Sequence, residues 1–307
     1  MDQNNNPKIK VRMVMEMAWL REVLGKYCPS VKGLSANQIP PELTMDELFR
    51  RHGLKPEDLV SLQRDTMESL AAFRKKSAFE AYEFAPDVDL SDDHYLWETP
   101  ENKERCVQSI EKRYAGRTGG IVFYGPSNIT LWYSLEKDML PWKAQNHGMG
   151  GCTDDDLIHY ADRLLYPFAP RAVFFQSGSN DLAMGMTVEE IIEKKQKMYS
   201  QFLQALPQAQ LIIMSGLPLP GRTVYWDDTS KINQHLSELA EQDPRLHYMD
   251  ATGAMLVSEG DENLRASNGL YFNPAYFRMD RIHLNKKGHD VWTEIMKQTL
   301  RELDIAP

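Results

Sequence analysis

Cysteine is scarce in this 307-residue chain: Cys28, Cys106 and Cys152 are an odd number without paired spacing. They supply neither a disulfide framework nor a zinc ligand set, and they point to a reducing interior. Cations are in deficit too, with 35 Lys and Arg against 44 Asp and Glu and a formal net charge of −9. Nucleic acid and anionic bilayers need a basic footprint, so neither is expected as a partner. No stretch approaches the ~20 uninterrupted apolar residues of a membrane helix. The apolar run from Val11 to Leu20 is broken by Arg12 and Glu16, which makes it a poor signal peptide. Together these absences predict a soluble, cytoplasmic protein. Core material is not lacking: hydrophobic residues make up 42% of the chain. Its length suits one catalytic-sized domain plus a further segment of about 100 residues.

Two grammars divide the chain. Residues 1–115 read as helical throughout. Thr44 followed by Glu47 has capping-box spacing and opens a short helix through Phe49, ending near His52-Gly53. Pro56-Glu57-Asp58 opens a longer one, with Leu59, Leu62, Met67, Leu70 and Phe73 as its apolar stripe. Arg74-Lys75-Lys76 reads as a solvated face, because Glu80 and Glu83 follow closely. The acidic stretch Asp87–His94 reads as a loop; Asp92, Asp93 and His94 make a poor metal site, since adjacent side chains in a loop rarely converge. This segment carries no motif, and capping a cleft and forming a homo-oligomer are both open to it.

From residue 116 to 307 short strands alternate with helices. Ile121–Tyr124, Ala172–Phe175, Leu211–Met214 and, more weakly, Leu246–Met249 are apolar runs. Between and after them, Thr153–Tyr166, Thr187–Leu206, Ser230–Glu241 and Lys286–Leu303 are helical. Fully apolar strands separated by amphipathic helices indicate a parallel sheet buried on both faces, hence an open α/β sandwich built by right-handed crossovers. A ligand in such a sheet sits beyond the carboxyl ends of the strands.

Four segments fall at or near such ends. Gly125-Pro126-Ser127-Asn128 puts a serine on a strand-to-helix bend, where a helix N-terminus favours a developing anion. The same serine equally suits capping the helix. In Gly148-Met149-Gly150-Gly151-Cys152-Thr153, three glycines let the backbone pass close to a neighbour, and Thr153 caps the next helix. A dinucleotide fingerprint is a weak rival here, because its third glycine is missing. Asp154-Asp155-Asp156 complements the helix dipole and needs no ion. Ser177-Gly178-Ser179-Asn180-Asp181 offers an amide that could meet an oxyanion, or an ordinary turn. In Asp280-Arg281-Ile282-His283 an acid three residues before a histidine can orient the imidazole as a base, although a surface pair would read alike. His289 has no such companion and reads as a helix residue. Taken together, the four segments supply a nucleophile, oxyanion donors, a base and its orienter.

These four blocks, in this order across roughly residues 119–303, resemble the SGNH hydrolases, also called the GDSL esterase/lipase family. The resemblance implies a flavodoxin-like three-layer α/β/α sandwich and metal-independent, cofactor-free ester hydrolysis. It makes Ser127 the nucleophile, His283 the base and Asp280 its orienter. Ser127, Gly151 and Asn180 become the oxyanion donors, with Gly151 preferred to Gly150 for its position two residues before Thr153. One departure stands out: the first block usually has Asp where this chain has Pro126. Proline removes a backbone N–H from the turn but leaves the amide of Ser127 intact.

The substrate is read from the rim. The stretch from Pro218 to Trp226, with Tyr225 and Trp226, and the stretch Tyr271–Phe277, with Tyr276, are aromatic loops fit to stack on a sugar or line an acyl pocket. Packing against the N-terminal helices is the alternative. With no long apolar lid, a short ester such as an acetyl group on a carbohydrate is the expected substrate. An acyltransferase with the same triad, a decayed ligand-binding protein and, more distantly, a nucleotide-binding protein are the rivals.

Overall fold

The computed structural model describes residues 10–81, apart from 17 and 35, and residues 100–307. The stretch Asp87–His94 lies outside them. Among the described residues no helix is long and apolar enough to cross a membrane.

The N-terminal part holds α1 (Val11–Glu16), α2 (Ala18–Tyr27), α3 (Met45–Arg51) and α4 (Pro56–Ala81). Thr44 caps α3 by accepting from the Glu47 N–H at 3.3 Å. The Glu47 carboxylate turns to Arg50 and Arg51 instead of closing the expected box. Val11, Met15, Leu24, Cys28, Ile39 and Leu48 gather into a small core of their own. A further helix, α5 (Pro100–Arg113), lies before the boundary expected at residue 115 yet belongs to the larger core. Its Cys106, Val107 and Ile110, followed by Tyr114, pack with residues of the sheet region, so the core boundary falls ahead of α5.

The sheet comprises β1 (Ile121–Gly125), β2 (Ala144–Gly148), β3 (Ala172–Phe175), β4 (Gln210–Met214) and β5 (Leu246–Met249). They run parallel in the order β2-β1-β3-β4-β5, the flavodoxin-like arrangement. The intervening helices are α6 (Ser127–Thr130), α7 (Leu135–Asp138), α8 (Asp154–Leu164), α9 (Ser179–Ala183), α10 (Val188–Ala205) and α11 (Trp226–Ala240). After β5 come α12 (Thr252–Met255), a two-stranded antiparallel pair of β6 (Leu256–Val257) and β7 (Tyr271–Phe272), and finally α13 (Lys286–Glu302).

Because successive strand residues point to opposite faces, each apolar strand feeds two cores. Val122, Tyr124, Val173, Phe175, Leu211 and Ile213 pack with residues of α5, α8, α10 and α11. Ile121, Phe123, Phe174, Ile212 and Met214 pack with Trp132, Trp142 and, on α13, Trp292 and Met296. Phe123 and Phe174 are register partners in β1 and β3, and their rings stack at 4.8 Å. Burying such side chains is worth about 1.5–3 kcal/mol each, which is why these runs become inner strands.

The second strand has no apolar run to announce it: β2 reads Ala-Gln-Asn-His-Gly. As an edge strand it satisfies its polar side chains locally. His147 Nδ1 lies 2.6 Å from the Leu164 carbonyl, and burial lowers its pKa to about 4. Asn146 Nδ2 donates to the Ile129 carbonyl at 2.7 Å. Gly148 is needed for close approach, since a Cβ there would stand 2.3 Å from the Thr130 nitrogen in α6. In this way the end of β2 is held against the turn that carries Ser127.

The strand order reverses direction between β1 and β3, and such a switch point opens a crevice at the carboxyl ends. Ser127 follows β1 and Asn180 follows β3, so the two flank that crevice.

Candidate active site

Ser127 is the first residue of α6, and the residue in the N-cap position is Pro126. The Pro126 carbonyl accepts from the N–H groups of Ile129 at 2.9 Å and Thr130 at 3.2 Å. Proline is therefore compatible with the turn, because its carbonyl is what the helix uses. The Ser127 hydroxyl does not cap the helix. It lies 2.7 Å from His283 Nε2 instead, across 156 residues of chain.

His283 Nδ1 is 2.7 Å from Asp280 Oδ2, and Asp280 Oδ1 accepts from the backbone N–H groups of Ile282 and His283 at 2.9 Å each. Burial pushes the Asp280 carboxyl up, but the His283 charge and these three hydrogen bonds outweigh it and hold the pKa at about 2. An ionised carboxylate only accepts, so Nδ1 donates to it, and in the uncharged form of the ring Nε2 is the nitrogen left to accept from the Ser127 O–H. This arrangement can take the hydroxyl proton as the oxygen attacks, while the carboxylate stabilises the imidazolium that forms.

Residues to which the sequence alone gives no role at the site hold this turn in place. Asn128 is buried; its Oδ1 accepts from the Leu284 N–H at 2.8 Å, and its own carbonyl lies 3.1 Å from His289 Nε2. His289, in α13 as expected, stacks on Trp132 at 5.0 Å, and burial keeps it neutral. Arg278 donates to the Leu284 carbonyl from Nε and to the Leu131 carbonyl from Nη2, both at 3.1 Å. Both flanks of His283 are thus tied to the serine turn. The one sequence signal was a polar residue straight after Ser127, where α6 packs inward.

The other two blocks meet each other. Asn180 Nδ2 donates to the Cys152 carbonyl at 3.0 Å. Gly151 has a φ of +75°, a conformation that glycine adopts without penalty. Among the described residues the N–H groups of Ser127, Gly150 and Gly151 show no intramolecular acceptor. Thr153 caps α8 in a full capping box with Asp156, and Asp156 also pairs with Lys103 at 2.7 Å. No metal-binding cluster occurs among the described residues.

A buried charge group underpins both blocks. Lys195, fully buried in α10, donates to Asp154 Oδ1 at 3.1 Å and to Ser177 Oγ at 2.6 Å. The Asp154 N–H donates to Asp181 Oδ1 at 3.1 Å. Burial, and then the neighbouring Asp154 charge, push the Asp181 carboxyl up. Lys195 thus pairs directly with Asp154, and its charge also bears on Asp181. Lys195→Met should cost about 3–5 kcal/mol, because it leaves buried charge without a counter-ion. Urea unfolding would read this as a lowered midpoint, and adding Asp154→Asn should recover part of it. A loss below about 1 kcal/mol would show that the pair does not brace these segments.

The expected aromatic rim is only partly a rim. Trp226 is 7% exposed and packs edge-on to Phe272 at 5.8 Å, with Leu264 and Ala266 alongside. It is not an open stacking platform, and its packing partners belong to the β6–β7 excursion rather than the N-terminal helices. Tyr225 and Tyr276 remain half-buried.

The sequence profile of the GDSL-like Lipase/Acylhydrolase family matches residues 119–291, more than half of the chain. Three N-acylneuraminate cytidylyltransferases from Streptococcus agalactiae are 29% identical over 74% of this chain. That share exceeds the region after residue 115, so the match runs back into the preceding helical part. The chain spans 57% of the length of these relatives. Among solved structures, a Streptococcus pneumoniae protein with the provisional description of a platelet activating factor has a TM-score of 0.56 and 19% identity, over 69% of this chain and 96% of its own. A Bacteroides fragilis protein, provisionally described as an acylhydrolase, has a TM-score of 0.52 and 18% identity, over 67% of this chain and 99% of its own. At those identities the likeness speaks for the fold alone. With the family profile spanning all four blocks on this sheet, the chain belongs to the GDSL-like lipase/acylhydrolase family.

Proposed function

We propose that the protein is a metal-independent serine esterase that works through an acyl-enzyme. The observation that carries this reading is the unbroken relay from Ser127 Oγ through His283 to Asp280, both links 2.7 Å long. His283 takes the Ser127 proton as the oxygen attacks the ester carbonyl. The amides of Ser127 and Gly151 and the side chain of Asn180 meet the oxyanion, and His283 then protonates the departing alcohol. Water reverses the sequence on the acyl-enzyme. Removing one oxyanion donor typically costs 10²–10³ in rate, so Asn180→Ala should lower kcat by about that much. A loss below tenfold would take Asn180 out of the site.

The proposed substrate is a short acyl ester, such as the acetyl group of a carbohydrate. The name of the Streptococcus agalactiae relatives refers to an acidic sugar, which supports a sugar-borne ester, although the match spans only part of those proteins. The half-buried Tyr225 and Tyr276 are the proposed rim contacts. A cytoplasmic location is supported by Cys28, Cys106 and Cys152, all buried and unpaired. Self-association through the helical segment is supported by exposed Leu59, Val60 and Met67 on α4, and light scattering tests it.

The esterase reading is tested with p-nitrophenyl esters from acetate to octanoate, together with a fluorophosphonate whose adduct is mapped by mass spectrometry. Turnover that falls with chain length and a single adduct on Ser127 are expected. A folded protein that hydrolyses none of the esters and takes up no label would overturn the reading. Labelling with slow turnover that rises when an acceptor sugar is added would move it to acyl transfer.

A further inference from the structure

Asn180 can serve an oxyanion only if its amide is turned the right way, and the structure assigns that task to Arg222. The side chain of Arg222, 8% exposed, reaches from the loop after β4 to the block carrying Asn180. Its Nη1 donates to the Ser179 carbonyl at 2.9 Å, to Ser179 Oγ at 2.7 Å and to Asn180 Oδ1 at 3.2 Å. A guanidinium has no acceptor to offer, so Asn180 must present its oxygen to Arg222. Its Nδ2 then faces the Cys152 carbonyl, 3.0 Å away, which needs a donor. Both ends agree on one orientation of the amide. One Nδ2 hydrogen goes to Cys152, and the other is the one an oxyanion can take. The guanidinium charge also draws density from Oδ1, which strengthens the N–H at the far end of the amide.

The residue before Arg222 joins this arrangement to the other half of the site. The Gly221 N–H donates to the Arg281 carbonyl at 2.8 Å, inside the turn between Asp280 and His283. A Cβ on Gly221 would stand 2.8 Å from the Asp280 carbonyl oxygen, so only glycine lets the loop lie this close. Two consecutive residues thus brace the acid–base turn and the oxyanion block against each other. We propose that Arg222 is a positioning residue that acts through Asn180, not a substrate contact. This rests on the esterase reading above.

The test is a double-mutant cycle on p-nitrophenyl acetate with Arg222→Met, Asn180→Ala and their combination, beside Arg222→Lys and Ser127→Ala. Arg222→Met should lower kcat about 10- to 100-fold, less than losing the donor outright, with KM changed less than about twofold. In the Asn180→Ala background the same change should cost less than about threefold, because the group it acts through is gone. Lysine keeps the charge, so Arg222→Lys should retain more activity than Arg222→Met, the reverse of what packing alone would give. If Arg222→Met does not fold, the cycle is run with Arg222→Lys. Equal losses in both backgrounds, or a raised KM at unchanged kcat, would overturn the proposal. Ser127→Ala separates the two levels: if it keeps the activity, the esterase reading itself has failed. If it is inactive while Arg222 behaves additively, only the role of Arg222 has failed.

Discussion

Replacing Ser127 by alanine is expected to lower kcat for ester hydrolysis about 10⁶-fold, the scale on which loss of a serine nucleophile or its base acts. The structure makes this variant informative because little else depends on the hydroxyl. Its partner is His283, while the turn is capped by the Pro126 carbonyl and packed through Asn128 and Ile129. Alanine is a good residue in a first helical turn, so the fold should survive, and an unchanged unfolding midpoint would confirm it. His283→Ala should cost a similar factor, and the double variant little more, since serine and imidazole act as one unit. Steady-state rates on p-nitrophenyl acetate read all three. A Ser127→Ala protein that keeps more than about 1% of wild-type kcat would require another nucleophile.

Much of this site was legible in the sequence, because its pieces are local. Its geometry rests on a serine after one apolar run, Asn180 after another, and an acid three residues before a histidine. The inner strands were legible for the same reason, being apolar on both faces. What escaped depends on distance along the chain. Asn128 meets Leu284 across 156 residues, Arg222 reaches Asn180 across 42, and Lys195 reaches Asp154 across 41. No periodicity reports such pairings, and a buried lysine or arginine reads from sequence as a surface residue until its partner is known. Polar β2 was hidden because an edge strand can satisfy histidine and asparagine locally. Trp226 misled for a related reason: aromatic residues after a strand end look alike whether they line a cleft or fill a satellite core. Its core is built by residues 264–272, a stretch with neither helical nor strand period in the sequence.

Asp280→Asn carries the second large effect, and here the backbone dictates the outcome. Oδ1 of Asp280 accepts from the N–H groups of Ile282 and His283, both at 2.9 Å. Asparagine must therefore put its carbonyl oxygen in that place, which turns its NH₂ toward His283 Nδ1. A donor there forces Nδ1 to accept and moves the ring proton to Nε2, the atom that takes the proton from Ser127 in the proposed mechanism. The residues stay where they were, but the imidazole holds the wrong tautomer, and kcat should fall about 10⁴-fold. The same substitution has a signature in stability. With its folded-state pKa at about 2, the Asp280 carboxylate contributes stability that is present above the ordinary value of about 3.9 and is lost as pH falls through the depressed one. Asp280→Asn should remove that component, so urea midpoints of the variant should fall less steeply than those of wild type between about pH 4 and pH 2. Wild-type activity lost on acidification above about pH 4 cannot then come from protonation of Asp280. A rate loss below about 100-fold in a folded Asp280→Asn protein would mean that something other than this carboxylate sets the tautomer.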